Sequence, residues 1–402
     1  MKKIKILRII ARLNIGGPAI HAVLLIQGLD KNRFESLLVC GRISPAEGDM
    51  FYYAVEKGVQ PYFISEIQRE PDFIKDVIAF KKIYNIIRKE KPDIVHTHTA
   101  KAGFLGRLAG IVYNFFTIIT YKKRTKLIHT FHGHIFSGYF NKFQTRLFVY
   151  IERFLALFTS KIITVSEANK NGLVSLGICP PRKVQVIPLG FELGEFLSIP
   201  IADRDIAAIG IIGRLVPIKN HRLFLESAAR VIKDNPQKKL RFKIIGDGEL
   251  REDLEGYSHK LELDGKLEFL GWQRDLARIY SDLDIVCLTS LNEGTPVSLI
   301  EAMACARAVV ATEVGGVPDL LGEEITTGIK QSGNFKILER GITVASPDAD
   351  SFSAAINFML QDTELRKNMC LGARKYVEGK FTKKRLISDI ERLYEAVTTN
   401  IS

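Results

Sequence analysis

The feature that most constrains this chain is an alternation of short apolar runs with longer amphipathic stretches, which runs through once and then restarts. The first series has its apolar runs at 4–10, 35–40, 93–96, 128–131, 162–165 and 184–188; the second has them at 207–213, 241–246, 267–270, 285–288 and 308–312. Runs of this length, rich in Ile and Val, read as strands buried on both faces. The stretches between them repeat apolar residues at helical spacing, as Phe80, Ile83, Ile86 and Ile87 do. Regular strand–helix alternation implies a parallel sheet with helices on both faces. A chain of 402 residues has room for two such domains. The segment 189–205, with Gly190, Gly194 and Pro200 and little periodicity, is the expected link. The expected organisation is therefore an α/β domain over 1–195, a second over 196–380, and a closing amphipathic helix in 381–402.

Charge divides the halves. Residues 1–200 hold 29 Lys and Arg against 15 Asp and Glu, a net of +14; residues 201–402 hold 28 against 30, a net of −2. A basic half suits an anionic surface or a phosphorylated acceptor, or is simply solvated. Cys40, Cys179, Cys287, Cys305 and Cys370 are odd in number and scattered, which argues against a disulfide framework or a zinc site and fits a reducing compartment. The expected location is cytoplasmic, since no apolar run is long enough to span a bilayer.

Ligands of doubly wound sheets bind beyond the carboxyl ends of the strands, so the strand-to-helix loops carry the chemistry. After the run at 285–288 come Glu293, Gly294, Thr295 and Pro296, and then Glu301. Gly294 lets the backbone approach a ligand, and Pro296 suits a first helical turn whose N–H groups favour an anion. Two carboxylates at such a place suit hydroxyl recognition, because a carboxylate accepts from adjacent sugar hydroxyls. An ordinary helix with an acid in its first turns has the same spacing, so spacing alone does not decide.

The segment Glu293–Ala304, followed by Val309 to Asp319, resembles the signature of glycosyltransferase family four, the retaining sugar transferases of GT-B architecture. Further blocks agree in order: Asn14 to Pro18, Asp93 to His98, His129 to His134, Ile163 to Glu167, Val186 to Gly190, Gly213 to His221, and Ile244 to Leu250. The resemblance implies two facing Rossmann-like domains with a cleft between them, acceptor on the first and donor on the second, and a C-terminal helix returning to the first. By position it implies that Arg214 and Lys219 hold the donor diphosphate and Glu301 the ribose hydroxyls. Glu293, with the backbone of Gly294 and Thr295, would hold the donor sugar. Gly16 and Gly17 would form the loop over phosphates and sugar, and His132 would sit by the sugar. The implied activity is transfer of a hexose or N-acetylhexosamine with retention, from a uridine diphosphate sugar to a polysaccharide or lipid-linked glycan. The same architecture also hosts nucleotide-sugar epimerases and inactive nucleotide-sugar binders. No cofactor, no metal and no nucleic-acid partner is expected.

Several rival sites are set aside on the residues. His96 and His98 with His132 and His134 resemble zinc pairs, but side chains alternate along a strand, so one His of each pair is expected to be turned away. Asp282 and Asp284 mimic a metal-binding Asp-x-Asp but fall in a helix-to-strand turn, where Asp is common. No Gly-x-Gly-x-x-Gly follows the first strand, and Ser166 lacks a nucleophile elbow. Two stretches run longer than the family pattern. One, about 324–338 with Lys330, Gln331 and Lys336, is expected to be a surface loop. The other, 111–121, is apolar and aromatic, with Lys122, Lys123, Arg124 and Lys126 after it. It suits peripheral contact with an anionic membrane; alternatively, Val112, Phe115, Phe116 and Ile119 form the buried face of a helix.

Overall fold

The computed structural model describes residues 2–43, 48–68, 70–119, 123–133, 142–201, 208–325, 333–345 and 348–399. They form two compact units, one of residues 1–191 with 383–402, the other of residues 192–382.

The first unit is a seven-stranded parallel sheet. Its strands are β1 (Ile4–Ile10), β2 (Phe34–Cys40), β3 (Tyr62–Phe63), β4 (Ile94–His98), β5 (Lys126–Phe131), β6 (Lys161–Thr164) and β7 (Val184–Val186). They lie in the order β3-β2-β1-β4-β5-β6-β7. The chain builds outward from β1 in one direction and then from β4 in the other, so a switch point lies between β1 and β4. Helices on both faces make these strands near-continuous apolar runs. Arg8 interrupts the run of β1 and is wholly buried, bonded to Tyr394 of the closing helix Lys383–Thr399. That helix belongs to this unit. Its Leu386, Ile390, Tyr394 and Val397, spaced at about one turn, pack with Ile6, Leu25 and Ile94.

The second unit repeats the plan with β8 (Ala208–Ile212), β9 (Arg241–Ile245), β10 (Leu267–Gly271), β11 (Ile285–Leu288), β12 (Ala308–Thr312), β13 (Phe335–Leu338) and β14 (Gly341–Val344). The order is β10-β9-β8-β11-β12-β14-β13, so the switch point lies between β8 and β11. Among the described strands only β13 runs antiparallel, paired with β14 through a two-residue turn at Glu339 and Arg340. The expectation of a surface loop over 324–338 is corrected here. Phe335, Ile337 and Leu338 are buried and close the sheet edge. Lys336 pairs with Glu313 at 2.8 Å, and Lys330 and Gln331 lie outside the described residues.

The segment from residue 111 continues a single helix, Ala100–Ile119. Its buried face is Ala102, Leu105, Ala109 and Tyr113, whereas Phe115 and Phe116 are 62% and 52% exposed. The alternative of a buried face through Phe115 and Phe116 is therefore overturned; the side chain of Ile119 lies outside the described residues. The helix is tied to its neighbour Lys142–Phe158 by a buried ion pair, Arg107 to Glu152 at 2.7 Å.

Candidate active site

In the second unit the loops after β8 and β11 meet at the switch point. Beyond β8, Gly213 is held by β9: its N–H bonds the Ile245 carbonyl at 2.9 Å. Leu215 bonds the Asp247 carbonyl at 3.0 Å, and Gly248 lies so close that an added Cβ would meet the Leu215 carbonyl at 2.6 Å. This backing fixes the loop that presents Arg214, half-buried, with no acceptor on its guanidinium among the described residues. The chain then makes a tight turn, Pro217–Lys219. Asn220 takes a left-handed φ of 49°, a conformation Asn tolerates better than most side chains, before the helix His221–Asp234.

Beyond β11, Ser290 donates to Glu293 at 2.6 Å, and Lys219 Nζ meets the same carboxylate oxygen at 2.5 Å. Lys219, implied to hold the diphosphate, is thus brought to Glu293, and a charge-assisted bond spans the two loops. The loop leads into the helix Val297–Ala304, with Pro296 as its N-terminal cap. The hydroxyl of Thr295 is buried without a partner among the described residues. Glu301 is 8% exposed and accepts from the Tyr280 hydroxyl at 2.9 Å. Burial pushes its carboxyl up to about 7, and the Tyr280 bond only partly offsets this. The loop after β12 supports Glu293 from behind: Gly316 N–H bonds the Gly294 carbonyl at 2.9 Å, and Gly315 has a φ of 54°.

In the first unit the carboxyl ends of β1, β4 and β5 carry a second cluster. The 12-residue helix Gly17–Gly28 starts from Gly16, whose φ of 153° favours glycine, and brings His21 inward. His96 and His98 lie on one face of β4 with ring centroids 4.3 Å apart. The expectation that one of them is turned away is wrong: side chains two apart on a strand share a face. His132, just past β5 and half-buried, is within 3.0 Å of His98. Burial holds its imidazole down at about 3, and His21, His96 and His98 well below the usual range, with Arg8 adding to the effect in these three. His134 lies outside the described residues.

Ring nitrogens of His21, His98 and His132 lie within 4.8 Å of one another, a donor set of the kind a metal ion takes. At His98 the neighbouring group does not suit one. Metal-bound imidazoles usually donate their outer N–H to a carboxylate or carbonyl. Here the outer nitrogen of His98 faces a guanidinium N–H of Arg8 at 3.2 Å.

Two other rivals resolve as structural. Asp284 accepts the first N–H of β8 at 3.0 Å, and Ser166 caps the helix Glu167–Ser175. Sequence reasoning missed Arg8, His21, Tyr280 and Tyr394. Of these only Arg8 carried a signal, a cation inside a strand otherwise expected to be buried on both faces.

Two family models match the chain: Glycosyltransferase Family 4 over residues 15–195, and Glycosyl transferases group 1 over residues 207–362. A UDP-Gal:alpha-D-GlcNAc-diphosphoundecaprenol alpha-1,3-galactosyltransferase of Escherichia coli is 27% identical over 383 residues, 92% of each chain. The capsular polysaccharide biosynthesis glycosyltransferase CapM of Staphylococcus aureus is 24% identical, over 82% of this chain and 83% of its own. Among solved structures, Anabaena HepE in complex with UDP-glucose superposes with a TM-score of 0.74 at 18% identity, over 98% of this chain and 99% of its own. With two successive Rossmann-like sheets in a GT-B fold, its first half matched by the Family 4 model and its second by the group 1 model, the chain belongs to the family-four type of glycosyltransferase.

Proposed function

We propose that the protein moves a hexose or N-acetylhexosamine from a uridine diphosphate sugar to a lipid-linked or polysaccharide acceptor, with retention of configuration and without a metal. The observation that carries the donor reading is the switch point of the second sheet. There Arg214 and the Thr295 hydroxyl, both without a partner among the described residues, stand on loops backed by glycine contacts, and the buried carboxylate of Glu301 stands on the helix that follows. Arg214 supplies charge for the leaving diphosphate, joined by Lys219 once a ligand draws it from Glu293. Glu301 accepts ribose hydroxyls, Glu293 with Gly294 and Thr295 takes the sugar, Gly16 and Gly17 close on the phosphates, and His132 bonds the transferred sugar. No protein nucleophile is assigned; the donor phosphate receives the acceptor's proton on the same face. The E. coli relative supports a diphosphopolyprenol-linked sugar as acceptor. Thermal-shift screening of nucleoside diphosphates and their sugars tests the donor reading. Stabilisation by UDP and its sugars, lost in Arg214→Ala, is expected; no shift with any nucleotide contradicts it.

The acceptor class gives the first unit a reason to contact membrane. Among the described residues no helix is long and apolar enough to cross one. Instead the helix Lys142–Phe158 exposes Phe143, Leu147, Tyr150, Phe154 and Leu157, spaced by threes and fours, while Glu152 and Leu155 face inward. Phe115 and Phe116 are exposed on the neighbouring helix. Arg124 is exposed nearby, Lys123 is held by Asp93, and Lys122 lies outside the described residues. An apolar stripe with basic neighbours suits insertion among anionic headgroups, at ~1 kcal/mol per cation near the surface. Co-sedimentation with phosphatidylglycerol vesicles is expected, weakening with salt and falling when Tyr150 and Phe154, or Phe115 and Phe116, become Ser. Equal behaviour with phosphatidylcholine vesicles, or none with either, contradicts docking.

A further inference from the structure

The histidine cluster of the first unit contains a chain of hydrogen bonds whose direction is set at one end. Arg8 is wholly buried, and a guanidinium has donors but no acceptor. Its Nη1 lies 3.1 Å from His96 Nδ1 and 3.2 Å from His98 Nε2. Both imidazole nitrogens must therefore accept. In a neutral ring an accepting nitrogen on one side puts the proton on the other. For His96 that proton is on Nε2, where the Thr130 hydroxyl stands at 2.8 Å to receive it. For His98 it is on Nδ1, which faces His132 Nε2 at 3.0 Å. His132 must then accept on Nε2 and carry its own proton on Nδ1. That Nδ1 is buried and meets no acceptor among the described residues.

We propose that Arg8, acting through His98, fixes the proton of His132 on Nδ1, so that His132 meets its substrate as a hydrogen-bond donor. This deepens the role given to His132 above and rests on it. Arg8 and His98 are then positioning residues. An N–H offered to a sugar oxygen suits neutral oxygens of a substrate whose anionic charge is on its phosphates. It also withholds from His132 the free lone pair that a general base would need, since the Nε2 lone pair is occupied by His98. The Tyr394 hydroxyl, 2.6 Å from His96 Nδ1 and 2.9 Å from Arg8 Nη2, holds the guanidinium in place. The closing helix that carries Tyr394 thereby enters the same chain of bonds.

The test reads the proton directly. The full chain is labelled with 15N-histidine, and long-range proton–nitrogen spectra are recorded without substrate, with His132→Gln to assign the signals. His132 is expected to show a protonated Nδ1 and an unprotonated Nε2. In His98→Asn the side-chain amide can replace the Nδ1–H donor, so the pattern should persist and transfer should fall by no more than a few-fold. In His98→Leu the donor is gone; His132 should shift toward the Nε2–H form, with kcat at least tenfold lower and the melting profile still cooperative. A wild-type His132 protonated on Nε2 overturns the proposal, as does His98→Leu leaving the pattern unchanged. So does zinc bound at micromolar concentration by the wild type and lost in His98→Leu, because the same lone pairs would then serve a metal. The spectra need no nucleotide, so their failure is separate from failure of the donor reading, which UDP binding reports.

Discussion

Glu301→Ala is expected to weaken UDP binding by roughly ten- to a hundredfold, the loss of charged hydrogen bonds worth ~1.5–3 kcal/mol. The wild type should show a pH dependence that this variant and Glu301→Gln lack. Burial raises the Glu301 carboxyl to about 7, while ribose hydroxyls donate more strongly to its ionised form, whose oxygens both accept. Binding therefore draws the group toward ionisation and releases a proton. From pH 8 to pH 6 the ionised fraction falls about tenfold, and affinity should fall with it. In the free protein the sign is opposite. A carboxyl raised on folding contributes stability that is present below its unfolded value near 4.5 and lost as pH rises through about 7. Calorimetric titration of UDP at both pH values, in wild type and Glu301→Gln, decides the matter. Equal slopes would remove Glu301 from the ribose.

Gly315→Ala should have the larger effect on the fold of the site. A Cβ there would stand 1.8 Å from the Glu293 carbonyl oxygen, and the residue sits at a φ of 54°. Backbone cannot give way as a flexible side chain does. The loop bearing Glu293 and Gly294 must move, at a cost of about 3 kcal/mol or more from strain and overlap together. Donor binding should vanish with it. Gly265 is the control: its φ is 72° but nothing lies within 4 Å of an added Cβ. Gly265→Ala should carry only the backbone strain, ~1 kcal/mol, and bind UDP normally. Similar melting shifts in the two variants, with UDP binding intact in both, would show that Gly315 does not hold the donor loop.

Eleven of the parallel strands were legible because a strand buried on both faces needs an unbroken apolar run and such runs recur in order, whereas β3, two exposed residues at a sheet edge, left no such run. The hairpin of β13 and β14 was not, since Phe335 to Leu338 is a four-residue run beside charged residues and resembles a loop. The second-unit site was legible as a motif, but not the pairing of Lys219 with Glu293, which joins residues 74 apart in the chain. The histidine cluster was half legible. His96, His98 and His132 stood out, but a period of two was applied in the wrong sense. His21 comes from another helix, and Arg8 and Tyr394 meet across 386 residues of chain. Such contacts are set by how the helices close on the sheet, which no local pattern encodes.

Whether this site transfers sugar from a nucleotide donor is decided by one assay. UDP-hexoses and UDP-N-acetylhexosamines are incubated with the protein and a panel of diphosphopolyprenol-linked sugars in excess chelator, and UDP release and the anomeric configuration of the product are followed. UDP release is expected with one donor only when its acceptor is present, undiminished by chelator, with the donor's configuration kept. An epimerised free sugar formed without acceptor, an inverted product, or activity that appears only when a divalent ion is restored would contradict it.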